Sequence, residues 1–113
     1  MTRDQVHALV MSLPGVEEGT SYGKPSYKLN GKFFTRMRVV DESIALKMDF
    51  DTRDMLMQVD PETFFLTDHY RSWPYVLAWI EHIQPDHLRS ILRRTWMQQA
   101  PAKLRRAHPE MTD

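Results

Sequence analysis

Residues 26–38 read Ser26-Tyr27-Lys28-Leu29-Asn30-Gly31-Lys32-Phe33-Phe34-Thr35-Arg36-Met37-Arg38. Polar and apolar residues alternate on both sides of Asn30-Gly31, a pair suited to a type I′ turn because both central positions need positive φ. The stretch predicts a β-hairpin with strands over 26–29 and 32–38. Asp41-Glu42-Ser43 makes a second turn, and residues 44–48 alternate again as a third strand. Upstream, Glu17–Tyr22 reads as another strand, ended by Gly23 and Pro25. An antiparallel meander of three or four strands follows.

Helical patterns flank the meander. Thr2 with Gln5 has the form of a capping box, and Val6, Leu9, Val10 and Leu13 recur at helical spacing until Pro14-Gly15. Asp51 is expected to cap a helix over 52–59, with Met55, Leu56 and Val59 inward and Asp60-Pro61 at its end. Phe64–Leu66 reads as a buried strand and 68–74 as a loop. Residues 75–82 read as a strand with Val76, Ala78 and Ile80 on one face and Leu77 and Trp79 on the other, so both faces need cover. Pro85 suits the first turn of a helix running to about Gln99, with Leu88, Ile91, Leu92, Thr95 and Trp96 inward. Pro101 breaks it, and 102–107 add a further turn or two. The fold class is α+β, an antiparallel sheet of about five to six strands with helices packed on one face. One domain is expected over residues 1–107, with a flexible tail over 108–113.

Composition narrows the function. The 113 residues are 42% hydrophobic and 11% aromatic, which excludes a disordered chain and suffices for one core. The absence of Cys removes disulfides, thiolate nucleophiles and Cys-ligated metals. No apolar run approaches a membrane span, and the N-terminus lacks a signal peptide's apolar stretch, so a soluble cytoplasmic domain is expected. Fifteen basic residues balance fifteen acidic ones, yet residues 24–47 carry a net +4 and residues 48–70 a net −5. The zero hides a dipolar molecule.

Enzyme signatures are sparse. The four glycines fall singly in turns, with no phosphate loop and no G-x-S-x-G. The histidines at 7, 69, 82, 87 and 108 lack the spacings that set two imidazoles on one metal. Asp49, Asp51 and Asp54 lack the mid-loop Gly and final Glu of a calcium loop, and a helix cap accounts for them. The acids of 49–62 are better read as a solvated face than as a frataxin-like iron site. No catalytic residue, cofactor or metal is expected.

The basic residues are more informative. Strict period two places Phe34, Arg36 and Arg38 on one face, opposite Phe33, Thr35 and Met37. Lys28 and Lys47 can join that face across neighbouring strands, with Lys24 and Lys32 flanking the hairpin. A solvated sheet face would also carry such charges. As a binding surface, Lys24, Lys28, Lys32, Arg36, Arg38 and Lys47 would meet phosphates, while Tyr70, Arg71 and Trp73 of the aromatic loop 69–75 would meet bases or backbone. Nucleic acid bound weakly and salt-dependently is the leading partner, with no recognition helix for major-groove reading. The alternative is a small molecule or metabolite held by the loop 69–75, with Arg71 on an anion.

Two longer stretches carry a family likeness. Leu13-Pro14-Gly15-Val16-Glu17-Glu18-Gly19-Thr20-Ser21-Tyr22-Gly23-Lys24-Pro25-Ser26-Tyr27-Lys28, followed by Asn30-Gly31-Lys32-Phe33-Phe34, is one. Phe64-Phe65-Leu66-Thr67-Asp68-His69-Tyr70-Arg71-Ser72-Trp73-Pro74, with the 96–103 stretch as a closing helix, is the other. Together they make the chain resemble the MmcQ/YjbR family over about residues 3–107. The resemblance implies a frataxin-like (CyaY-like) α+β arrangement and a DNA-binding role through a double-wing motif. The Asn30-Gly31 hairpin with Lys28, Lys32 and Arg36 matches one wing.

Overall fold

A computed structural model describes residues 1–112. Six strands, β1 (Val16–Ser21), β2 (Lys24–Leu29), β3 (Lys32–Arg38), β4 (Ser43–Lys47), β5 (Phe64–Phe65) and β6 (Tyr75–Trp79), form one antiparallel sheet in the order β1-β2-β3-β4-β6-β5. Asn30 and Gly31 both take positive φ, as the hairpin required. Four helices, α1 (Arg3–Met11), α2 (Phe50–Val59), α3 (Pro85–Gln99) and α4 (Ala102–Ala107), contribute to the same core on one face of the sheet. That core joins Val6, Leu9 and Val10 of α1 and Leu88, Leu92 and Trp96 of α3 to Leu29, Phe34, Ile44, Leu46, Val76 and Ala78 of the strands.

Each helix starts where its local chemistry directs. Thr2 and Gln5 close the reciprocal capping box on α1. On α2 the cap is Asp49, two residues earlier than the sequence pattern indicated. Its carboxylate accepts from both the backbone N–H and the hydroxyl of Thr52. The earlier start changes which residues face inward. Met55 and Val59 are exposed, while Arg53 is buried and Leu56 and Met57 pack against the core. Pro85 occupies the first turn of α3, and Trp96 Nε1 ties its far end to the Pro14 carbonyl at 2.7 Å. Gly15 takes φ +77° beneath Leu104, and a Cβ there would meet the leucine Cδ2 at 2.8 Å. Pro109–Thr112, expected in the loose tail, form a 3-10 turn whose Glu110 and Met111 carbonyls accept from Arg93. Asp113 lies outside the described residues.

The second face of the sheet is not bare. Over β4, β6 and β5 it is covered by the segment 66–74, which tucks Tyr70 against Ala45 and Leu77. This explains why β6 is apolar on both sides. Arg53 holds the segment down, donating from Nη1 to the carbonyls of Arg71 (3.0 Å) and Trp73 (2.9 Å). Among the described residues, no helix crosses this face over β1, β2 and the start of β3.

The strand β3 departs from strict alternation. Tyr27 pairs with Thr35 but Lys28 pairs with Phe33, so Phe34 is an extra residue opposite a continuous β2. The bulge puts Phe34 and Met37 together on the helix side, whereas Arg36 and Arg38 lie on the second face with Phe33. The period-two grouping of Phe34 with the arginines is therefore corrected. Thr35 is fully buried at the bulge, and its hydroxyl donates to the Ala45 carbonyl at 2.7 Å.

Candidate functional site

Register places Lys24 and Lys28 of β2, Arg36 and Arg38 of β3 and Lys47 of β4 on the second face. Lys32 is separate: it pairs with Leu29 at the hairpin end and lies on the helix side. Two of the five cations on the second face have much of their chemistry taken up inside the fold. Lys47 donates to the Phe33 carbonyl (2.6 Å) and to Gln99 Oε1 (2.9 Å), and its ammonium lies 5.8 Å from the Phe33 ring. Arg38 pairs with Asp41 at 3.3 Å and rests over the Tyr70 ring, its side chain 16% exposed.

The remaining cations have freer heads. Arg36 is half-buried and gives one N–H to Tyr70 Oη at 2.9 Å. Lys28 runs its methylenes over Gly19, where a Cβ would stand 3.2 Å from Lys28 Cδ, and Glu17 lies directly across. Lys24 is exposed beside the Tyr22-Gly23 turn, which carries a fully exposed Tyr22. Between these cations lie Phe33 and Tyr75, edge to face at 5.7 Å, with Tyr70 6.0 Å from Tyr75. Open strand face, cations and aromatic rings thus meet on β1–β3. The other loop residues divide: Tyr70 is buried as a structural plug, Arg71 is exposed with a partner in Asp68, and Trp73 is exposed.

Burial holds the Lys47 ammonium below the usual lysine range, and Lys32 adds repulsion. The unfolded chain then binds more protons than the folded one as pH climbs toward that range, so this group adds stability as pH rises. Tyr27 and Tyr75 act oppositely, since burial raises both hydroxyls and the fold loses their contribution above the ordinary tyrosine range. Comparison with Lys47→Met isolates the lysine. From about pH 8 to about pH 10.5 the urea midpoint of the parent should rise relative to the variant's. A constant gap would show that the ammonium is not desolvated.

A concavity lies beside the Lys47–Tyr75 end of β4 and β6. It is a cleft of about 670 Å³ between α2 and α3, walled by Met48, Met55, Leu56, Pro74 and Ile91 and edged by Lys47, Asp49, Tyr75, His87 and Arg94. The sequence reading missed it, because its lining comes from three separate stretches, 47–56, 74–75 and 87–98. Met55, expected inward, instead stands exposed on the cleft wall. Among the described residues no group of three metal-ligating side chains is assembled, and no helix is long and apolar enough to cross a membrane. Asp49, Asp51, Asp54, Asp60 and Glu62 make no metal cluster there.

Comparison with known proteins agrees with this architecture. The structure is similar to that of Deinococcus radiodurans protein DR2400, described as a DUF419 domain, with a TM-score of 0.73 at 15% sequence identity. The match covers 98% of this chain and 88% of that one, and at this identity it speaks for the fold alone. No curated protein matches the sequence. The family model named YjbR matches residues 11–98, which span β1 through almost all of α3, and with that match the chain belongs to the YjbR family.

Proposed function

We propose that this domain binds nucleic acid weakly, through the open face of β1–β3, as a non-enzymatic module. The observation that carries the reading is the register that sets Lys24, Lys28 and Arg36 around Phe33 and Tyr75. Cations on a strand face track phosphates, while exposed ring faces and edges accept stacked bases irrespective of sequence. A flexible single strand suits this surface better than a duplex groove, because no helix projects from it. The family likeness to double-wing DNA-binding proteins points the same way, with the Asn30-Gly31 hairpin as one wing. Glu17 opposite Lys28 and Asp41 on Arg38 reduce the surplus charge, so affinity is modest and salt-sensitive.

Fluorescence anisotropy with a labelled oligothymidylate at low salt tests this. Two to three neutralised phosphates on a single strand give a log–log salt slope of about −1.4 to −2.1. Lys24→Glu with Lys28→Glu should weaken binding by about tenfold or more. Absence of binding at tens of micromolar protein, or unchanged affinity in the double variant, would remove the reading.

A further inference from the structure

The cleft between α2 and α3 has a chemistry distinct from that of the strand face. We propose that it is a binding site for a small organic anion with an apolar body, an aryl carboxylate being the simplest case. Its size lies within the roughly 300–1,000 Å³ typical of small-ligand clefts. Its walls are apolar side chains that the fold leaves partly uncovered: Met55 is 53% exposed, and Met48, Leu56 and Ile91 are only half-buried although they border the core. Thioether and branched aliphatic groups of this kind adapt to a flat hydrocarbon surface.

The charges at the rim decide the sign of the ligand. Arg94 stands exposed on α3 and has no carboxylate within ion-pair distance among the described residues. Lys47, which also lines the cleft, uses two acceptors, Phe33 O and Gln99 Oε1, and an ammonium carries three N–H groups, so one is left without a partner. The single carboxylate, Asp49, already has both oxygens engaged by Thr52. Two cations with donors to spare therefore face one acid whose oxygens are occupied. A carboxylate head between Arg94 and Lys47, with its ring against Met55 and Ile91, satisfies the donors and covers the apolar wall.

The probes are 2-naphthoate and its neutral counterpart 2-naphthylmethanol, titrated into the ¹⁵N-labelled protein. Naphthoate should shift the amides of Met48, Thr52, Ser90, Arg94 and Gln98 in one saturable process, with the alcohol bound about tenfold more weakly or worse. Arg94→Glu should abolish the naphthoate shifts, and Ser90→Trp, from an exposed helix position on the rim, should block both probes. Equal binding of acid and alcohol on the unmodified protein would overturn the proposal without recourse to any variant. Shifts scattered away from the cleft, or naphthoate binding that survives Arg94→Glu, would do the same. Lys24→Glu/Lys28→Glu leaves naphthoate binding intact, so the failure of this site and that of the strand face are read separately.

Discussion

Arg53→Met should cost about 3 kcal/mol of stability, although it replaces a charge with an apolar side chain of similar length. Arg53 is 7% exposed, and its guanidinium rests 4.7 Å from the Phe50 ring and donates to the carbonyls of Arg71 and Trp73. Methionine can fill part of the space but leaves the Arg71 carbonyl with no donor and the Trp73 carbonyl with the Tyr75 N–H alone. The segment 66–74 would then loosen from the second face, taking Tyr70 off Ala45 and Leu77. Arg53→Lys should rescue little, because an ammonium cannot combine the Nη1 bonds to two carbonyls with the Nε bond to Asp54 and the flat contact over the Phe50 ring. A lowered urea midpoint together with new proteolytic cleavage inside 66–74 checks both parts. An unchanged midpoint, or cleavage elsewhere, would show that the segment is held by its own packing.

The second large effect is at Trp96. Its ring is fully buried against α1 and the sheet, and its N–H bonds the Pro14 carbonyl 82 residues earlier in the chain. Trp96→Ala should lose about 3–5 kcal/mol through cavity formation, a large part of the roughly 5–15 kcal/mol of a typical domain. Trp96→Phe separates the two contributions, retaining part of the ring volume while leaving the carbonyl without its donor. An intermediate loss of about 1–3 kcal/mol is expected for it. Chemical denaturation of both variants measures the difference, and equal losses would mean that the hydrogen bond, rather than the ring volume, dominates.

What the sequence disclosed follows from the range of the interactions involved. The Asn30-Gly31 turn, the Thr2–Gln5 box, the Pro85 start and the α3 stripe depend on residues within a turn or two of each other, and each was legible. The bulge at Phe34 was not, since nothing within β3 itself marks the extra residue; it is defined by pairing to β2. The inward turn of Arg53 was hidden for a similar reason. Its partners are carbonyls 18 and 20 positions downstream, and an arginine in a helix ordinarily signals a solvated face. The candidate cations were visible as residue types, but which heads remained free depended on Gln99, Asp41 and Tyr70, all fixed only by tertiary packing.

The bulge has a consequence for how this domain tolerates change. Strand β3 behaves as two short strands out of phase by one residue: the first half pairs with β2, the second with β4. Deleting one residue between Phe33 and Arg36 would therefore not merely shorten the strand. It would remove the bulge and leave a uniform rhythm, with Phe34 on the helix side and Arg36 and Arg38 on the second face. At the present length, by contrast, a strand without the bulge would drive two guanidinium groups into the hydrocarbon interior or expel Phe34 into water. Length and bulge are coupled at this point. A chain with this number of residues needs the bulge, and a related chain one residue shorter here should lack it and keep the same faces.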